Sequence, residues 1–137
     1  MSGLLGMALG WVERAIEQEK TFTNLGLKAR ILEGLGRKDE AAPLLKEAWL
    51  VATEDDLGKV GGQLMSNKQY AEAVPVFELS VRGNPGSWKA HDQLAEAYLK
   101  SGDAAKALAT YAKALELAPD EATKKRLEET LRTLRGG

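Results

Sequence analysis

The chain can be laid over itself. With an offset of 34 residues, Glu54 to Ser87 stands above Trp88 to Glu121. Val60 then falls over Leu94, Gly61 over Ala95, Leu64 over Tyr98, Tyr70 over Ala104, Ala73 over Ala107, Phe77 over Tyr111 and Pro85 over Pro119. These pairs agree in size as well as in polarity. A third copy begins near Phe22, where Ala29, Leu32, Gly36, Ala41, Leu45 and Ala48 occupy the same columns in a copy about two residues shorter at its end. A repeat of this length constrains the fold strongly, because each copy is one supersecondary unit that can bury its apolar face only on its neighbours.

Each copy reads as two amphipathic helices joined by a tight turn, since apolar residues recur at intervals of three and four on both sides of a polar break. In the last copy Leu94, Ala95, Tyr98 and Leu99 stripe the first helix, and Ala107, Leu108, Tyr111, Ala114 and Leu115 stripe the second. Between them Gly102 can adopt the left-handed conformation that ends a helix, and Asp103 can cap the next; Gly36 does the ending in the first copy. Asn84, Pro85, Gly86 and Ser87 form a turn with a Ser cap, and Thr53 with Asp56 three residues on reads as an N-terminal cap with acidic residues near the helix dipole. Composition agrees: Leu (21) and Ala (20) dominate, with only 8 aromatic residues (Phe 2, Trp 3, Tyr 3), a mixture that favours helix over sheet.

The stretch Leu94, Ala95, Tyr98, Ala107, Tyr111, Ala114, Pro119 resembles the tetratricopeptide repeat family. Its pattern runs Leu, small residue and aromatic on the first helix, then Ala, aromatic, Ala and an exit Pro on the second. The middle copy carries it in Val60, Gly61, Ala73, Phe77, Ser80 and Pro85, with Leu64 in place of the aromatic. The first copy departs from it, with Lys28 where a Leu is expected and no exit Pro; Asn24, Leu25, Gly26 offer a second register, displaced by a turn. The resemblance covers about 100 of the 137 residues. It implies an all-α fold, a right-handed α-solenoid of stacked antiparallel helical hairpins with about eight helices. The division is then 1–21 (half-repeat helix), 22–53, 54–87 and 88–119 (three repeats) and 120–137 (capping helix and tail). A small side chain on the first helix lets the second cross close by, so Gly61 and Ala95 are contact points, and a bulky residue there would overpack.

The ends differ from the middle. Ala8, Val12 and Ala15 match Ala107, Tyr111 and Ala114, so 4–18 looks like a second helix without its first. Leu5, Ala8, Trp11, Val12 and Ala15 form a candidate self-association face that a preceding helix would otherwise cover. In 120–134, Leu127, Leu131 and Leu134 make an apolar edge with charges outward, a solvating cap. The apolar stretch near Leu4 has no basic segment before it, is interrupted by Gly6 and Gly10, and falls far short of the ~20 residues that span a bilayer. Met1 to Gly3 and Gly136–Gly137 read as the start and linker of an excised or engineered segment.

The chemistry the chain excludes is broad. Without Cys there is no disulfide, thiol nucleophile or zinc finger, and one His rules out a multi-histidine metal site. The missing thiols leave the compartment open: a soluble chain expected in the cytoplasm, with the periplasm as the alternative. A formal net charge of -1 gives no basic face for nucleic acid. His91 with Asp92 and Glu96 fails as an acid–base or metal cluster, because adjacent helical residues diverge and His91 stands where this family buries a large side chain. The run Glu54, Asp55, Asp56 points in three directions at a helix start and complements the dipole. Gly58, Gly61 and Gly62 lie within a helix rather than in a phosphate loop. No catalytic residue, cofactor or metal is expected.

In such solenoids the first helices line a concave wall, the usual ligand surface. The residues expected to face that groove are Arg30, Glu33, Gly58, Gly62, Met65, Lys89, Asp92, Glu96 and Leu99. Some family members hold the C-terminal carboxylates of chaperones through Lys, Asn and Arg. The matching positions here are Gly26, Arg30, Gly58, Gly62 and Lys59 with Asp55, so that clamp is mostly missing. The expected role is a non-enzymatic interaction module that presents the groove to a protein or peptide, with no nucleic acid and no membrane as partner. The alternatives are a homo-oligomer formed through the N-terminal helix, or a helical accessory tail of a larger bacterial protein.

Overall fold

The structure is a computed structural model and describes residues 2–136; Met1 and Gly137, read above as linker, lie outside the described residues. Among the described residues there are eight helices and no strand: α1 (Ser2–Gln18), α2 (Phe22–Gly34), α3 (Lys38–Val51), α4 (Glu54–Ser66), α5 (Tyr70–Gly83), α6 (Trp88–Lys100), α7 (Ala104–Glu116) and α8 (Glu121–Gly136). They form two compact units divided between Thr53 and Glu54.

Local chemistry sets where the helices begin and end. Side-chain oxygens accept the free amides of the first turn: Thr21 Oγ1 from Asn24 N at 3.0 Å, Ser87 Oγ from Ala90 N at 3.2 Å, Asp103 from Lys106 N at 3.0 Å and Asp120 from Thr123 N at 2.8 Å. Each hairpin turn contains one left-handed residue, Gly36 (φ 79) before α3 and Gly102 (φ 99) before α7. Lys68 (φ 60) holds the same place before α5, where no sequence signal announces it. A second unannounced feature is Pro43 inside α3 and Pro75 inside α5, each the sixth residue of its helix, where it removes one backbone hydrogen bond.

In the first unit α2 packs on both α1 and α3. Its core joins Ala29, Leu32 and Ala41 with the half-buried Leu9 and Leu44. The rings of Phe22 and Trp49 add a tilted contact at 5.0 Å. Lys28, the departure from the expected Leu, turns its ammonium to Glu13 on α1 at 3.8 Å and so keeps its charge half exposed.

In the second unit α4 pairs with α5 and α6 with α7, α5 packs on α6, and α8 closes on α7. One core gathers Ala73, Phe77, Leu94 and Ala97, and the other Ala95, Ala107, Tyr111, Ala114, Leu127 and Leu131. The small residues allow the close crossing. A Cβ built on Gly61 would run into the Phe77 ring, with Cε2 at 2.9 Å and Cε1 and Cζ nearer still. Ser80 is fully buried in α5, and its Oγ has no hydrogen-bond partner. Leu127 and Leu131 seal the end of the unit, while Lys124, Arg126, Glu128 and Arg132 stay exposed.

Candidate functional site

The face shared by α4 and α6 follows from what each helix buries. On α6 the buried residues are Ala90, His91, Leu94, Ala95 and Ala97, which leaves Lys89 and Glu96 exposed and Asp92, Gln93 and Leu99 half buried. On α4 only Leu57 and Gly61 are buried, and Gly58 and Gly62 add no side chain to the surface. The result is an open cleft of about 300 Å³ lined by Glu54, Asp55, Gly58, Lys59, Lys89 and Gln93. A Cβ on Gly58 would only touch the Gln93 amide at 3.5 Å, and one on Gly62 would meet nothing within 4 Å.

The cleft is polar and of mixed charge. Lys59 pairs with Asp55 at 3.0 Å on the open surface; that hydrogen bond, reinforced by Coulomb attraction, raises the lysine pKa from its ordinary value. Glu54 accepts a hydrogen bond from Ser87 Oγ at 3.0 Å, which holds its carboxylate at the cleft rim. Asp92 is held by Arg126 of α8 at 3.0 Å, and the same guanidinium stands 5.9 Å from the Trp88 ring. Burial, with Asp92 and Glu96 nearby, pushes the Tyr111 hydroxyl up to about 12. Burial and donation to Glu78 at 2.7 Å push Tyr98 to about 12 as well.

Of the residues expected on the groove wall, Gly58 and Lys89 line this cleft directly, and Gly62 lies open beside them. Met65 and Leu99 are half buried and packed against the Phe77 and Tyr111 cores respectively, so both serve the interior too. Arg30 and Glu33 are exposed on α2 of the first unit. Sequence reasoning missed Glu54, Asp55, Lys59 and Gln93 as lining residues, although the i,i+4 spacings of Asp55 with Lys59 and Lys89 with Gln93 place each pair on one face. His91 is buried and its Nε2 donates to the Pro85 carbonyl at 2.9 Å, which ties it to the inter-helix turn. Among the described residues no group of three or more His, Asp or Glu is placed to hold a metal.

On α1, Trp11 and Ala8 are exposed and Ala15 is half buried, whereas Val12 is buried and Leu5 is half buried with its Cδ1 against Gly34. The last two therefore belong to the packing of α1 on α2, because α2 already covers that side of the helix.

The profile of the tetratricopeptide repeat family matches residues 64–128. Over this stretch the chain matches the tetratricopeptide repeat pattern. Among solved structures, "MamA RS-1 ArsTM double mutant" superposes with a TM-score of 0.59 at 23% identity, covering 98% of this chain and 75% of that one. "MamA 41-end from Desulfovibrio magneticus RS-1" superposes with a TM-score of 0.53 at 21% identity, covering 96% and 84%. At such identities the likeness is one of fold. No curated protein matches the sequence. In tetratricopeptide-repeat terms α6 and α7 are the first and second helices of one repeat, and Ala95 and Tyr111 are its small residue and its aromatic, packed in one core. No helix among the described residues is long and apolar enough to cross a membrane.

Proposed function

We propose that the chain is a non-enzymatic protein-interaction module that presents the α4–α6 face to an extended peptide or a partner helix. The observation that carries this reading is the cleft at Gly58, where the missing side chains of Gly58 and Gly62 leave room for a ligand backbone between Lys59, Lys89 and Gln93. Gln93 offers both a donor and an acceptor to a main chain, and Lys59 and Lys89 line the same opening as Glu54 and Asp55. Such a wall suits a ligand of mixed charge rather than a polyanion. The tetratricopeptide-repeat fold supports a protein partner, and His91 and Asp92 are already engaged, by the Pro85 carbonyl and by Arg126. Met65, Glu96 and Leu99 extend the surface along the two helices, and Arg30 and Glu33 offer a separate exposed pair on α2.

Panning the full chain against a random peptide library, followed by titration of the selected peptides, tests the proposal. Gly58→Arg, Gly62→Leu and Lys89→Glu are each expected to weaken binding at least tenfold, the effect of about 1.4 kcal/mol. Selected peptides whose affinity ignores all three substitutions would overturn it.

A further inference from the structure

We propose that α1 is a self-recognition element, through which two copies of this chain pair by an antiparallel α1–α1 contact. Leu4, Ala8, Trp11 and Ala15 recur at intervals of four, three and four, so they share one face of the helix. That face lies beside the line of contact with α2, along which Val12 is buried, and is left uncovered by it. Leu4 is 81% exposed, Trp11 72% and Met7, beside them, 63%. Single exposed apolar residues are ordinary, but three large ones on two turns of one helix make a patch. The patch borders an open groove of about 400 Å³ between α1 and α2, whose far wall is Leu27 and Ile31.

A second copy is the occupant that fits, because the stripe is complementary to its own reverse. Laid antiparallel about a two-fold axis between residues 9 and 10, Leu4 of one copy meets the position of Ala15 in the other, and Trp11 meets that of Ala8. Each large side chain finds a small one, and the two-fold makes every contact twice. Charge agrees with this arrangement. Residues 2–12 carry no Asp, Glu, Lys or Arg, so Glu13, Arg14 and Glu17 of one copy end beside the uncharged half of the other. The antiparallel order also opposes the two helix dipoles favourably. Roughly 150 Å² from Trp11 and about 100 Å² or less from each aliphatic give about 700 Å² in total, below the ~1,200 Å² of stable complexes. The pair is therefore a weak, reversible dimer formed at tens to hundreds of micromolar chain, roughly the regime of such small interfaces.

Sedimentation equilibrium of the full chain from low micromolar to millimolar concentration reads this directly. A monomer–dimer equilibrium is expected, weakened at least tenfold by Leu4→Glu or Trp11→Glu and unchanged by Leu50→Glu, which alters a residue 86% exposed on α3. Circular dichroism reports whether each variant keeps its helices. Because the chain has no cysteine, cross-linking gives a second reading that leaves the apolar anchors intact. A short bis-maleimide is expected to join two Ala8→Cys chains and not two Ser66→Cys chains. The proposal is overturned if the chain stays monomeric throughout, if its dimer ignores both α1 substitutions, or if the Ser66→Cys protein cross-links as readily. A monomer whose α1 face instead captures an unrelated amphipathic helix overturns it too.

Discussion

Gly61 and Gly62 are neighbours in α4, and the same substitution is expected to act on them with opposite sign. Replacing Gly by Ala in a helix interior gains about 0.8 to 1 kcal/mol from reduced backbone entropy. At Gly62 nothing opposes that gain, since a Cβ there meets no atom within 4 Å. Gly62→Ala should stabilise the protein by about 1 kcal/mol. At Gly61 the added carbon falls on the Phe77 ring, and the ring is held by Ala73, Leu94 and Ala97. Overpacking of a fixed ring costs about 1 to 3 kcal/mol, with Phe77 at the upper end because three of its atoms are struck together. After the propensity gain, Gly61→Ala should destabilise by about 1 to 2 kcal/mol, or roughly 5 to 15 °C in melting temperature for a unit of this size. Urea melts followed by the helical circular dichroism signal measure both. Adding Phe77→Leu to Gly61→Ala should recover part of the loss, a non-additivity of about 1 kcal/mol. If Gly61→Ala is as stable as the parent protein, the close crossing of α4 and α5 is wrong, and with it the assignment of the small-residue column.

Two further substitutions test local features of the second unit by the same melts. Lys68 adopts φ 60 in the turn before α5, where Gly36 and Gly102 stand in the other hairpins. Lys68→Gly should therefore stabilise by about 0.5 to 1 kcal/mol, and a destabilisation would refute the strain. Ser80 buries an unpartnered hydroxyl in a column that holds Ala48 and Ala114 elsewhere. Ser80→Ala should raise stability by about 1 kcal/mol, whereas a loss of that size would mean the hydroxyl has found a partner.

The helical architecture was legible because the repeat is carried by residues whose roles are steric. Gly61 and Ala95 stand in one column, and both are buried where helices cross. Asp103 and Ser87 were legible as caps because the side-chain chemistry needed at a helix start belongs to few residue types. Lys68 was not, since a lysine carries no signal for the left-handed region and adopts it only because the hairpin around it demands it. Pro43 and Pro75 were equally silent: proline argues locally against a helix, and tertiary packing overrides it. The surface was the least readable part. Helical spacing could not tell that Met65 and Leu99 would lean into the cores, nor that Asp92 would be taken up by Arg126 from a helix 34 residues away. It also placed Val12 on the uncovered side of α1, because a half-buried helix shows two apolar faces and periodicity does not say which is covered.

Within each unit almost every helix rests on those next to it in the chain, with α4 also reaching α6. Most helix pairs therefore form by closing only a short turn, which keeps the entropy lost at each step of folding small. Such a topology can assemble in the order of synthesis. As the chain emerges N-terminus first, α4 and α5 can dock before α6 exists, and α6 with α7 can extend them before α8 seals the end. Until α8 arrives, the side of α7 that will hold Leu127 and Leu131 is an open, growing edge. Chains cut before Glu121 should therefore expose the side of α7 that Leu127 and Leu131 cover and aggregate more readily, which light scattering would measure.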